Sequence, residues 1–230
     1  MKSGSMILMQ EIIGPMMNFI YVIGCRETGD AAVVDPAWDI PAILDLAGGS
    51  GLKIKHILMT HAHPDHMNGL EQMLKDTNAL IYLNRNEVPY MQECGSATGI
   101  PTAFMQNRSG NFRIVDDGDT ARIGNLSVSF LHTPGHTPGS QCFLIEGNLF
   151  TGDTLFVDAC GRVDMPGGDA DKMWHSLNRK LYSLDDAVVV YPGHHYGDKK
   201  SSTIGEQKET NPYMSFTSVE EFRRAMDGYQ

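Results

Sequence analysis

The sequence predicts an α/β (α+β) fold made of two mixed β-sheets, each with helices on its outer face. Three observations point there. Short apolar runs bounded by Gly, Pro and Asp turns recur along the chain, amphipathic stretches of helical spacing interrupt them, and the order strands, helix, strand occurs twice. No linker, low-complexity run or shift of composition divides the 230 residues. Residues 1–230 therefore read as one domain, with 1–5 as an unstructured leader or cloning scar and 201–230 as a C-terminal extension.

Residues 6–13, 18–23 and 31–35 read as strands, split by Gly14-Pro15 and Gly29-Asp30, and Asp35-Pro36 ends the third. The spacing predicts a helix over 40–47, stopped by Gly48-Gly49. A strand over 53–59 follows. A helix over 68–75 comes next, with Leu70, Met73 and Leu74 on one face and Asn68 as its N-cap. Residues 79–83 return as a strand. The stretch 84–113 is the least regular. It has helical spacing at 88–93, then Gly95, Gly99 and Pro101, and reads as a mobile loop beside the site. Asp116-Asp117-Gly118-Asp119 reads as a hairpin turn. Strands follow at 126–132, 141–145 and 148–151, the last two joined by Glu146-Gly147. Residues 170–181 form an amphipathic helix with Met173, Trp174, Leu177 and Leu181 on one face. A buried strand at 187–191 and a helix at 219–226 complete the series.

Composition narrows the function. Hydrophobic content of 41% and charged content of 20% are those of a soluble globular protein. No apolar run approaches the ~20 residues of a membrane span. A formal charge of −10 argues against nucleic acid as a partner, because phosphates demand a positive surface. A small-molecule substrate is the partner this leaves, and a homodimer is open. Cys25, Cys94, Cys142 and Cys160 form no C-x-x-C pair, and no charged region followed by an apolar stretch opens the chain. Free thiols in the cytoplasm are the expectation.

The chemistry gathers in Thr60-His61-Ala62-His63-Pro64-Asp65-His66, directly after a buried strand. Imidazoles at alternate positions, 61 and 63, can point the same way. The pair Asp65-His66 can face a second point a few ångströms away. Nitrogen ligands with a carboxylate suit zinc or iron rather than magnesium or calcium. Three further candidates each follow a strand: His136 in Thr133-Pro134-Gly135-His136-Thr137-Pro138-Gly139-Ser140, Asp153 in Phe150-Thr151-Gly152-Asp153-Thr154, and His194 in Tyr191-Pro192-Gly193-His194. A lone Asp after Gly is usually a turn residue, and a lone His usually structural. Together with the first cluster they read as one metal site. The isolated His56, His132 and His175 read as packing or surface.

These four motifs resemble, in order, those of the metallo-β-lactamase superfamily. The resemblance spans nearly the whole chain and implies that family's four-layer αββα sandwich. It also implies two divalent metal ions, zinc first, with iron or a mixed iron–zinc pair as the alternative. His61, His63 and His136 would hold one ion, and Asp65, His66 and His194 the other, with Asp153 bridging. His63 stands where the flavodiiron oxidoreductases carry Glu, and the inserted nuclease domains of the RNA-processing branches have no counterpart in this chain. Cys160-Gly161-Arg162 and Pro192-Gly193-His194-His195-Tyr196 resemble glyoxalase II (the hydroxyacylglutathione hydrolases) and the persulfide dioxygenases. In that group the positions of Arg162 and Tyr196 bind the glutathione part of the substrate, and an Arg fork suits a carboxylate. The bland alternative for Arg162 is a surface ion pair with Asp164 or Asp158.

The function expected is hydrolysis of a thioester such as a hydroxyacylglutathione, by a metal-activated hydroxide that attacks the carbonyl, with Asp65 as the catalytic residue that orients it and takes its proton. A persulfide dioxygenase is the alternative, with one iron near His61, His136 and Asp153. Those dioxygenases commonly carry Gly-Arg-Thr-Asp-Phe where this chain has Gly161-Arg162-Val163-Asp164-Met165, which favours the hydrolase. A lactone or other ester stays open as substrate, since the long C-terminal helical domain of the eukaryotic hydrolases has no counterpart here.

Overall fold

The computed structural model describes residues 6–93 and 109–227. The first sheet has the order β1-β2-β3-β4-β5-β6: β1 (Met6–Ile13), β2 (Asn18–Cys25), β3 (Asp30–Val34), β4 (Lys53–Leu58), β5 (Leu80–Asn84) and β6 (Phe112–Val115). The first three pair antiparallel, and β3 to β6 are parallel. Parallel neighbours need crossovers. These include α1 (Ile40–Gly49), α2 (Pro64–Met67), α3 (Leu70–Thr77) and α4 (Glu87–Glu93).

The second sheet has the order β14-β13-β10-β9-β8-β7. Its strands are β7 (Thr120–Ile123), β8 (Leu126–His132), β9 (Gln141–Ile145), β10 (Asn148–Gly152), β13 (Val189–Pro192) and β14 (Ser202–Thr203). A small ribbon, β11 (Leu155–Phe156) with β12 (Ala159–Cys160), follows β10. Helices α5 (Ala170–His175), α6 (Ile204–Thr210) and α7 (Val219–Asp227) belong to this half.

Three apolar layers hold the sandwich together. Ile20, Val22, Ile43, Leu70, Met73 and Ile81 lie between the first sheet and its helices. Phe19, Tyr21, Leu58, Phe130, Phe143 and Phe150 fill the space between the sheets. Met173, Trp174, Leu177, Val190 and Phe222 join the second sheet to its own helices. Neighbours along β2 go alternately to the outer and central layers, as the period of two in a strand requires. With both faces covered, the whole strand is buried, which is why it reads as an unbroken apolar run. Among the described residues no helix is long and apolar enough to cross a membrane.

Four local expectations are corrected. Asp116 to Asp119 is not a hairpin turn. It joins β6, in the first sheet, to β7, in the second, so it carries the chain across the sandwich. Asn68 does not cap α3, whose N-cap is Gly69. Asn68 closes α2, and its Oδ1 accepts from Trp38 N at 2.7 Å. The helix expected over 170–181 stops at His175 and widens into a π-helical stretch, Ser176–Lys180. There Ser176 Oγ donates to Pro134 O and Asn178 Nδ2 to Tyr213 O, so contacts on both sides override the local spacing. The third strand ends at Val34 because Asp35 takes a positive φ of 48° and turns its carboxylate inward. Of the irregular stretch, 88–93 lies within α4, while Gly95, Gly99 and Pro101, like Cys94 and the leader 1–5, fall outside the described residues. Cys25, Cys142 and Cys160 are free.

Candidate metal centre

Four strands deliver the candidate ligands at their C-terminal ends: β4 to His61, β8 to His136, β10 to Asp153 and β13 to His194. Pro64 ends the extended backbone at His63 and starts α2, which places Asp65 and His66 on a first helical turn. The structure brings His61, His63 and His136 together, and likewise Asp65, His66 and His194, with the ligand atoms of each trio within 4.8 Å of one another. His61 Nε2 lies 3.1 Å from His63 Nδ1, and His66 Nε2 lies 3.1 Å from His194 Nε2. Tetrahedral zinc with bonds of about 2.0–2.1 Å sets neighbouring nitrogens about 3.3–3.4 Å apart. Asp153 stands between the trios. Its Oδ1 is 3.3 Å from His66 Nε2, and its Oδ2 is 3.4 Å from His194 Nε2 and 3.6 Å from His136 Nε2.

The outward nitrogen of every one of these imidazoles is engaged. His136 Nδ1 donates to Arg162 O at 2.8 Å, and His194 Nδ1 donates to Met16 O at 2.9 Å. His66 Nδ1 donates to Asp35 Oδ2 at 3.0 Å. Thr60 Oγ1 gives its single proton to Asp35 Oδ2 and so accepts from His61 Nδ1 at 3.0 Å. His63 Nε2 meets Tyr90 Oη at 3.0 Å. In the neutral rings of His61 and His136 these bonds place the proton outward and leave a lone pair aimed inward, and a cation in the site would draw the same arrangement from His63, His66 and His194. His136 Nε2 is buried there without any hydrogen-bond partner. Buried polar atoms are rarely left so, and inward-facing donor atoms that lack protons suit a cation. The residues fit a pair of divalent metal ions.

The electrostatics agree. Burial works against charge at Asp65 and Asp153, yet the imidazoles of His194 and His66 hold both carboxyls far below the usual range. Burial also opposes charge on His66 and His194, but the same carboxylates push both imidazoles up, His194 to about 9. In the metal-free protein these protons stand in for the positive charge that the carboxylates demand. In the other trio burial dominates and pushes His61, His63 and His136 down, His63 to about 4. The raised His194 fixes a sign. Its charged form is stabilised in the fold, so that stabilisation is complete below about 6.5 and is lost as pH rises through about 9. Chelator-stripped protein is expected to denature at lower urea concentration at the alkaline end of that window than at the neutral end. Added zinc should remove the difference.

Asp65 is held from behind. Asn18 Nδ2 donates to Asp65 Oδ2 at 3.0 Å and to Asp65 O at 3.2 Å, while Trp38 Nε1 donates to Asn18 Oδ1 at 2.8 Å and fixes which way the amide faces. Glycines make room around Asp153: a Cβ on Gly161 would lie 1.9 Å from Asp153 O, and one on Gly193 would lie 2.4 Å from its Oδ1. A cleft of about 410 Å³ opens over the trios, with Met16, Phe156, Ala159, Met165, Arg162 and Tyr196 among its lining. Tyr196 is exposed and stacks on His194 at 4.6 Å between ring centroids. Arg162 lines the cleft as well, but its guanidinium is taken up by both oxygens of Asp164, at 2.9 and 2.7 Å.

The structure therefore brings together all seven residues expected as ligands and places Arg162 and Tyr196 at the rim of the same cleft. His56 stacks on Tyr82, His132 bonds Pro138 O and His175 lies against Trp174, and none joins the site. Sequence reasoning missed Asn18, Asp35, Trp38 and Tyr90. Asp35, at a strand end before Pro36, offered the only local hint.

The family model of the metallo-beta-lactamase superfamily matches residues 13–194. The chain is 33% identical over 205 residues to a probable polyketide biosynthesis zinc-dependent hydrolase, BaeB, of Bacillus velezensis, covering 89% of this chain and 85% of that one. It is 34% identical over 209 residues to the probable hydroxyacylglutathione hydrolase glo2 of Schizosaccharomyces pombe, covering 86% and 73%. The crystal structure of ETHE1 from Myxococcus xanthus superimposes with a TM-score of 0.84 at 31% identity, over 98% of this chain and 92% of that one. With the αββα sandwich, the two trios and the shared Asp153, these similarities establish that the chain belongs to the metallo-beta-lactamase superfamily and is one of its metal-dependent enzymes.

Proposed function

We propose that the protein hydrolyses a thioester of the hydroxyacylglutathione type, with two divalent cations, zinc in the first instance. The observation that carries this reading is the set of five inward-facing imidazole nitrogens which, with the Asp65 carboxylate, form two trios on either side of the Asp153 carboxylate. Two bound cations, held by His61, His63 and His136 and by Asp65, His66 and His194 with Asp153, would supply Lewis-acid charge and make a water more acidic, from ~15.7 toward ~7. Asp65, fixed by Asn18, would orient the attacking water and accept its proton at Oδ2. The apolar wall of Met16, Phe156 and Met165 keeps bulk water from the acyl carbon. A thiol leaving group, with pKa about 8.5, departs without a strong general acid. Tyr196 binds the thiol part of the substrate at the rim, joined by Arg162 once its fork exchanges the Asp164 carboxylate for one on the substrate. On this reading a small molecule is the partner, the compartment is the cytoplasm, residues 1–230 act as one domain, and a homodimer is allowed.

The second reading, a persulfide dioxygenase with one iron, is favoured by 31% identity over 228 residues to the mitochondrial persulfide dioxygenase ETHE1 of Homo sapiens, covering 97% of this chain and 82% of that one, and by the match to the Myxococcus xanthus ETHE1 structure. It is less well supported by Val163 and Met165 beside Arg162, and by the two hydrolase relatives. Purified protein should be assayed in parallel for cleavage of lactoylglutathione and for oxygen uptake on glutathione persulfide. Thioester cleavage without oxygen uptake is expected. Oxygen uptake without cleavage would overturn the hydrolase.

A further inference from the structure

Glu87 opens α4, contributes nothing to either trio, and is completely buried. Its carboxylate accepts three hydrogen bonds. Oε1 takes Ala62 N at 2.7 Å, and Oε2 takes Gly139 N at 2.7 Å and Thr137 Oγ1 at 2.8 Å. These donors belong to two loops. Ala62 lies between His61 and His63, while Thr137 and Gly139 follow His136, so one side chain ties together the two segments that supply the first trio. Three residues further along α4, the Tyr90 hydroxyl meets the outward nitrogen of His63. The approach is tight, since a Cβ on Gly139 would lie 2.2 Å from Glu87 N.

A space-filling role does not account for this arrangement. Burial pushes Glu87 up to about 7, so ionising it in the fold is costly, and a methionine or leucine would fill the volume without that cost. What an apolar residue cannot do is accept from two loops at once. Directional bonds to three donors fix the distance between Ala62 and Thr137, and hence between the imidazoles beside them.

We propose that Glu87 and Tyr90 are positioning residues that set the affinity of the His61–His63–His136 trio for its cation, through a helix that supplies no ligand. This rests on the two-cation reading above. The test is cobalt titration of chelator-stripped protein, followed by its visible absorption bands. In a His194→Ala background only the first trio is complete. There Glu87→Gln, whose NH2 must face Ala62 N or the Gly139 N–Thr137 Oγ1 pair in either orientation, should weaken cobalt binding about 10–100-fold, the usual effect of losing support behind a ligand. In a His136→Ala background, which leaves Asp65, His66 and His194, the same change should leave affinity unaltered. Should Glu87→Gln fail to fold by circular dichroism, Tyr90→Phe removes a single hydroxyl and should weaken the first trio in the same selective way. Unchanged affinity in the His194→Ala background, or equal weakening of both trios, would overturn the proposal. Failure of the unsubstituted protein to bind more than one cobalt would instead defeat the two-cation reading on which it stands.

Discussion

Replacing Asp65 by Asn is expected to lower turnover by about 10²–10⁴-fold, the range for losing a positioned proton acceptor, while KM changes little. The amide has the shape of the carboxylate and keeps its anchor, because Asn18 Nδ2 can still donate to the amide oxygen and to the backbone carbonyl. What disappears is the anionic oxygen facing the imidazoles of His66 and His194, each 3.3 Å away. The site then keeps its shape and loses its base. Because Asp65 also belongs to a trio, the kinetics should be measured with excess zinc and the bound metal counted. Near-normal turnover with metal retained would remove Asp65 from the catalytic role.

Asp35→Ala should cost about 3–5 kcal/mol of stability in the metal-free protein, the range for breaking a buried charged pair by removing one partner. Asp35 accepts from Thr60 N at 2.7 Å, from Thr60 Oγ1 at 2.5 Å and from His66 Nδ1 at 3.0 Å, all in an interior closed to solvent. Alanine would strand those donors with nothing of equal geometry to replace the acceptor. Thr60 would also be freed to give its proton elsewhere, so His61 would lose the bond that sets its tautomer. Weaker metal binding should accompany the lost stability. Urea denaturation of stripped protein measures the first effect and zinc retention on dialysis the second. A loss within ordinary surface-substitution values of about 0.5 kcal/mol would show that Asp35 is dispensable.

The residues that the sequence made legible are those whose signal is local. His61, His63, Asp65 and His66 stand within six residues, and the other ligands each follow an apolar strand and a Gly or Pro. The same holds for β1 to β5 and β8 to β10, where apolar runs stop at turn residues. Residues that act across the fold left no such mark. Glu87 is 25 residues from Ala62 and 52 from Gly139, and Asn18 is 47 from Asp65. Nothing in their neighbours in sequence announces those contacts. The crossing from β6 to β7 was hidden for a related reason. Each strand has four residues, and only Val115 and Ile123 among them are buried, so neither displays an alternating pattern. The aspartates between them then look like a hairpin turn, and only the sheet partners reveal the switch of layers.

The central claim is that two trios sharing Asp153 hold two cations. Metal counted by elemental analysis, in protein purified without added metal, tests it most directly when the wild type is compared with His194→Ala. About two zinc ions per chain in the wild type and about one in the variant, kept by His61, His63 and His136, is the result this account predicts. A single iron per chain in both proteins would contradict it.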